Sequence, residues 1–105
     1  MQVIFEDRDL EQLIMTGNNH KYRKYSRDLR FMQSLGRMYK IMTAVADTKA
    51  LSAFSYLHYE KLREVDVSSV RVMNNRVERV LFREIENGIV ITIIDLDDTH
   101  YGNKK

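Results

Sequence analysis

The sequence predicts an α+β domain of order β-α-α-β-β-β, with two N-terminal helices packed on a small, mainly antiparallel sheet. Three observations predict it. Apolar residues recur three or four apart in the first half, at Leu10, Leu13 and Ile14 and then at Leu29, Met32, Leu35, Tyr39, Met42 and Ala46, which is helical spacing. The period then falls to two, where Val70 and Val72 alternate with Ser69, Arg71 and Met73, which is strand spacing. Near the end, Glu86-Asn87-Gly88 separates two apolar runs. Asn-Gly tolerates the positive φ angles of a tight hairpin turn.

The elements follow in order. Residues 1–5, Met-Gln-Val-Ile-Phe, read as a short first strand. Asp7 or Asp9 supplies the N-cap of the first helix, and Gly17-Asn18-Asn19 ends it. A longer helix is expected from Tyr22 or Ser26 to Ala46, with most of its basic residues off the apolar stripe. Asp47-Thr48-Lys49-Ala50 breaks it. Leu51 to Arg63 reads as a short helical turn or irregular chain. Strands follow around Val70 and Val72, from Val77 to Glu84, and from Ile89 to Ile94, with a turn at Asn74-Asn75. The last run is apolar on both faces apart from Thr92, as expected of a strand inside a sheet with helices over it.

The 105 residues make one domain, 1–105. No run of 18 apolar residues exists to span a membrane. The start, MQVIFEDRDL, carries acids where a secretory leader needs basic and then apolar residues. Cysteine is absent, which excludes disulfides, thiol catalysis and cysteine-ligated zinc. A cytoplasmic location is expected. The net charge of +2 is unevenly spread. Lys21, Arg23, Lys24, Arg27, Arg30, Arg37 and Lys40 crowd between His20 and Lys40 against Asp28 alone, and Arg71, Arg76, Arg79 and Arg83 form a second group. Such patches suit a polyanion or an acidic protein, or they are solvated faces.

The chain resembles the RelE/ParE toxin superfamily, and within it the HigB-like plasmid maintenance killer branch. The strings that carry the resemblance are Leu-Glu-Gln-Leu-Ile-Met-Thr-Gly at 10–17, Tyr-Leu-His-Tyr-Glu-Lys-Leu at 56–62, Ser-Val-Arg-Val at 69–72, Glu-Arg-Val-Leu-Phe at 78–82 and Asp-Thr-His at 98–100. The resemblance implies a small bacterial toxin that cuts mRNA on the translating ribosome and is held inactive by a cognate antitoxin protein, with no metal and no small-molecule cofactor. It implies His58, Lys61, Arg79, Asp98 and His100 as catalytic residues. Three departures stand out, one of them a hairpin around Asn74-Asn75 that is about two residues longer than in that branch. Glu78 occupies a position that is aromatic in the family, and the family's closing tyrosine is displaced to Tyr101, after the histidine.

The chemistry is consistent with those residue types. Cleavage through the ribose 2′-OH needs a base, an acid for the departing 5′-oxygen, and a cation for the charge on the phosphorane. His58 and His100 suit proton transfer, because histidine titrates near neutral pH. Arg79 suits the phosphorane, Lys61 and Arg71 suit flanking phosphates, and Asp98 suits orienting His100. Arg76, Arg83, Lys21, Arg23, Lys24 and Tyr101 complete the expected RNA contacts. Asp95, Asp97, Asp98 and His100 could instead ligate a metal, but alternation puts Asp98 on the other face from Asp95 and Asp97. Two further readings stay open. One is a ParE-like inhibitor of DNA gyrase, which has no use for a terminal histidine. The other is an inactive homologue that only binds its partner.

Overall fold

Asp7 turns the first strand into the first helix. Its backbone is extended and its Oδ1 accepts the Leu10 amide at 3.0 Å, which satisfies one of the free donors of a helix start. In this computed structural model, which describes residues 1–62 and 64–98, β1 (Gln2–Phe5) leads into α1 (Arg8–Thr16). Gly17 closes α1 in the left-handed region at φ 78, its amide bonded to the Leu13 carbonyl at 2.8 Å.

The predicted long helix is two helices, α2 (Arg23–Ser26) and α3 (Leu29–Ala44). Asp28 divides them. Its backbone is extended and its Oδ1 accepts the Phe31 amide at 3.1 Å, so a second N-cap sits inside a sequence of good helix formers. The predicted stripe holds at Leu35 and Met42, and Met32 and Tyr39 pack at the edge of the core. Phe31, Leu35, Met38 and Met42 are buried, whereas Leu29 is 71% exposed and Ala46 lies beyond the helix.

The stretch after α3 is more ordered than the sequence suggests. Two 3-10 turns, Thr48–Ala53 and Ser55–Leu57, bury Leu51 and Leu57, and a short strand follows, β2 (Glu60–Leu62). Then come β3 (Val67–Arg71), β4 (Arg79–Ile85) and β5 (Val90–Asp97). The sheet has five strands in the order β1-β5-β4-β3-β2, antiparallel except where β1 runs parallel to β5. The fold class is therefore α+β, with one more strand than predicted.

One sheet face carries Val70, Val80, Phe82, Ile91, Ile93 and Leu96, which pack with Leu10, Leu13, Phe31, Leu35 and Met42 from the helices. Burial of these side chains, about 1.5–3 kcal/mol each, is the main favourable term in the fold. The last strand is not buried on both faces. Leu81 pairs with Asp95 but Phe82 pairs with Ile93, leaving Ile94 without a partner on β4. This β-bulge lets Ile91 and Ile93 face the core and then Leu96, while Asp95 stays exposed. The β4–β5 turn is also longer than a two-residue hairpin. Ile85 pairs with Val90, and Glu86, Asn87 and Gly88 all have positive φ. At Gly88, φ is 86, and a Cβ would collide with the Thr48 hydroxyl, so the turn is clipped against the first 3-10 turn. No helix among the described residues is long and apolar enough to cross a membrane.

Candidate functional site

The side chain of Arg79 organises the sheet face away from the helices. Its Nε donates to Ser69 Oγ at 2.9 Å, and its NH2 donates to the His58 carbonyl at 2.8 Å and lies 3.4 Å from Glu60 Oε1. It is 7% exposed. The β3–β4–β5 register puts Arg71 opposite Arg79, and Arg79 opposite Asp97. Side chains directly opposite on one face lie about 5 Å apart, and like charges so placed repel. The row therefore sets the two arginines opposite one another at the end of the sheet where β5 exits, with Asp97 opposite Arg79 on the other side.

His58 adjoins the row. It ends the second 3-10 turn in the left-handed region at φ 48, which histidine tolerates better than most residues. Its Nε2 donates to Asn74 Oδ1 at 2.9 Å, so Nδ1 is left as the basic nitrogen of the neutral ring. Arg71 NH1 donates to the Asn74 carbonyl at 3.2 Å, and Arg71 Nε is buried with no hydrogen-bond partner. Asn74 thus ties together the exposed imidazole and the second guanidinium.

On the other side of the β5 exit stands the basic segment before and within α2. Lys21 lies over the Tyr22 ring at 5.2 Å and Lys24 over the Tyr25 ring at 5.1 Å. Lys24 Nζ is 3.4 Å from Asp98 Oδ2. The tyrosines are fixed from below. Tyr22 donates to Asp7 Oδ2 at 2.6 Å and Tyr25 to Glu78 Oε2 at 3.2 Å. Burial, together with these carboxylates, raises both phenols above their ordinary value. The lysines, tyrosines, Asp95, Leu96 and Asp98 line a cleft of about 280 Å³. Burial raises the Asp95 carboxyl, with Asp7 and Asp97 adding to it. Arg23 lies apart, in a cleft with Gln12, Asn18, Asn19 and His20.

Family models, curated proteins and solved structures give no match to this chain. The site rests on its own geometry, and that geometry divides the residues singled out from the sequence. His58, Arg71, Arg79 and the β5 exit at Asp98 come to one end of the sheet. His100 and Tyr101 lie outside the described residues. Lys61 is not with Arg79. It pairs with Ser68, which pairs in turn with Phe82, so it shares the helix-covered face, 3.5 Å from Glu84. Arg76 is committed elsewhere too. It forks onto Glu78 at 3.1 and 2.9 Å and reaches Asp28 at 2.6 Å. The Arg76 fork and the Phe31 amide hold the Asp28 carboxyl below its ordinary value. Arg83 pairs with Glu6 at 3.2 Å, four residues along β4 from Arg79. No group of three or more His, Asp or Glu able to hold a metal occurs among the described residues.

Sequence reasoning missed a second polar centre. Glu84 Oε1 accepts from Thr48 at 3.0 Å, and Oε2 accepts from Ser68 at 2.7 Å and from Tyr59. Burial pushes the Glu84 carboxyl up, but the hydroxyls of Tyr59, Ser68 and Thr48 and the Lys61 ammonium outweigh it and leave it below its ordinary value. The signal was Glu84 itself, two residues from Phe82 and therefore on the same inward face. Ser69 and Asn74, which hold Arg79 and His58, left a weaker signal, since both read as ordinary strand and turn residues.

Proposed function

We propose that the protein is the toxin of a type II toxin–antitoxin system, a RelE-like, HigB-branch endoribonuclease that cuts mRNA on the ribosome without a metal. The observation that carries the reading is the pair Arg71 and Arg79, directly opposite on β3 and β4. Two arginines facing the same side of the sheet, one of them with a buried Nε that has no hydrogen-bond partner, suit a phosphate at that end. The exposed His58 ring beside them, with its proton on Nε2, suits a base for the ribose 2′-OH. With His58 as the base, His100, which the resemblance implies as catalytic, would be the acid. Asp98, already bridged to Lys24, stands two residues before it. The lysine-covered tyrosines of the α2 segment suit RNA backbone and ribosomal RNA. The cytoplasm and an antitoxin partner belong to the same reading.

One observation favours a second reading. Arg79 is buried, and three of its contacts are to its own chain. An arginine so engaged serves the fold as well as a phosphate, as in a homologue that binds a partner and does not cut. Mapping mRNA 5′ ends in a translating extract decides between them. New ends inside codons with the wild type, absent with His100→Ala, are expected. No ends, with growth still arrested in cells, would favour the gyrase-type inhibitor. Neither ends nor arrest would leave the partner-binding homologue.

A further inference from the structure

We infer that the cleft between α3 and the turn at residues 72–75 is a subsite for one unpaired base of an RNA strand. This rests on the nuclease reading and extends it to a part of the molecule which that reading does not use. The cleft encloses about 290 Å³ and is lined by Ser34, Arg37, Tyr56 and residues 72–75. That is the lower bound of ligand pockets, room for a single flat ring system.

Its walls and rim have different chemistry. The wall is apolar, built from Val72, Met73 and the Tyr56 ring, which is 39% exposed. Phe54 meets Tyr56 edge-on, with ring centroids 6.5 Å apart and planes at 81°, so the ring is braced before anything binds. The rim is polar. Ser34 and Arg37 stand one turn apart on α3, opposite the amides of Asn74 and Asn75. An amide offers a donor and an acceptor together, which is what the edge of a base presents. An apolar peptide side chain would use the wall and make no use of the polar rim. A base inside a duplex would not reach them, because base-specific RNA recognition takes unstacked bases onto aromatic side chains.

Asn74 joins this cleft to the phosphate row. It lines the cleft, while its Oδ1 accepts from His58 and its carbonyl accepts from Arg71. A strand whose phosphate lies at Arg71 and Arg79 can therefore lay an adjacent base against Tyr56. The Arg37 guanidinium adds positive charge at the outer lip.

The test is binding by NMR, on the full chain, independent of cleavage. The probes are the four nucleoside 5′-monophosphates, uridine and adenosine hexanucleotides, and inorganic phosphate, read at the methionine methyls, the tyrosine rings and the backbone and side-chain N–H groups. The expected result is that hexanucleotides shift Met73 and Tyr56 saturably and inorganic phosphate does not. Tyr56→Ala should weaken hexanucleotide binding about ten-fold or more, the range for one stacked base. Tyr56→Phe should restore it, and Tyr56→Leu, which keeps apolar bulk, should not. Shifts confined to Arg71 and Asn74, reproduced by phosphate alone and unchanged by Tyr56→Ala, would overturn the subsite and leave the nuclease reading standing. Binding at Tyr56 with no cleavage of mRNA would remove the nuclease and keep the subsite.

Discussion

Replacing Glu84 by alanine should destabilise the protein by about 3 kcal/mol. The figure follows from its surroundings. The side chain is 12% exposed and receives hydrogen bonds from three hydroxyls, with Lys61 at the edge. A hydrogen bond to an ionised group contributes about 1.5–3 kcal/mol, and leaving a buried hydroxyl unpaired costs about 1–3 kcal/mol. These terms are not additive, because the Ser68 and Thr48 hydroxyls can turn to nearby carbonyls. Equilibrium unfolding in urea measures the loss directly. A thermal melt should fall by roughly 15 °C, at about 4–8 °C per kcal/mol for a domain near this size. Glu84→Gln separates charge from shape. Lysine cannot accept a hydrogen bond, so the amide must turn its NH2 toward Tyr59 and Ser68, at a cost of about 1.5 kcal/mol. The pH dependence follows from the lowered carboxyl. A folded-state value below the unfolded one adds stability above the ordinary value of 4.5, and that stability is lost as pH falls through the folded value. The wild type should therefore lose its advantage over Glu84→Gln in acid. A loss under about 1 kcal/mol for the alanine variant, or parallel acid profiles for wild type and Glu84→Gln, would refute the reasoning.

Arg76→Ala should cost about 2–3 kcal/mol in urea unfolding, since the Glu78 side chain, 8% exposed, loses its forked partner. Arg76→Met, with Glu78→Gln beside it, should recover part of that. Gly88→Ala should lower the melting temperature clearly, because positive φ and the Thr48 hydroxyl both oppose a Cβ there. Thr48→Ala in the same chain should relieve the collision but not the positive φ, and it removes one hydrogen bond to Glu84. In the 5′-end assay, Lys61→Ala should cleave like the wild type, because Lys61 faces Glu84 and not Arg79. Ser69→Ala, which frees Arg79 Nε, should cut cleavage several-fold with the fold unchanged by circular dichroism. Equal loss in both variants would return Lys61 to the site.

The parts of this fold that were legible from sequence share one property: a local signal with one physical meaning. Asp7, Gly17 and the alternation around Val70 specified their elements because capping and pleating act within a few residues. Asp28 was harder. An aspartate inside a helical run reads as a surface residue unless its competition with the backbone is weighed, and here that competition ended one helix and began another. β2 was hidden because three residues make too short a period to recognise, and only pairing with β3 gives them strand form. For the site, residue type was legible and facing was not. Lys61 and Arg79 share a chemistry on paper, but β2 and β4, with β3 between them, put them on opposite faces, a fact set by register alone. Arg76 reads as an RNA contact because Asp28 reaches it only when α3 meets the β3–β4 turn, and Glu78, two residues away, gives no sign in sequence of facing it.

A strand counts in twos, and Ile94 is the count that β5 skips. Before it, odd-numbered residues point inward; after it, even ones do. The apolar run of the sequence, Ile89 to Ile94, ends at that skip; Ile91 and Ile93 are buried on one side while Val90 and Ile94 are only half-buried, so the run reads as buried on both sides and is buried on one. The skip also decides what the strand hands on. In unbroken phase Leu96 would point to water while Asp95 and Asp97 turned into the core, where nothing is placed to neutralise them. With one residue passed over, the acids leave on the arginine side, and the same segment that closes the core begins the charged end of the sheet.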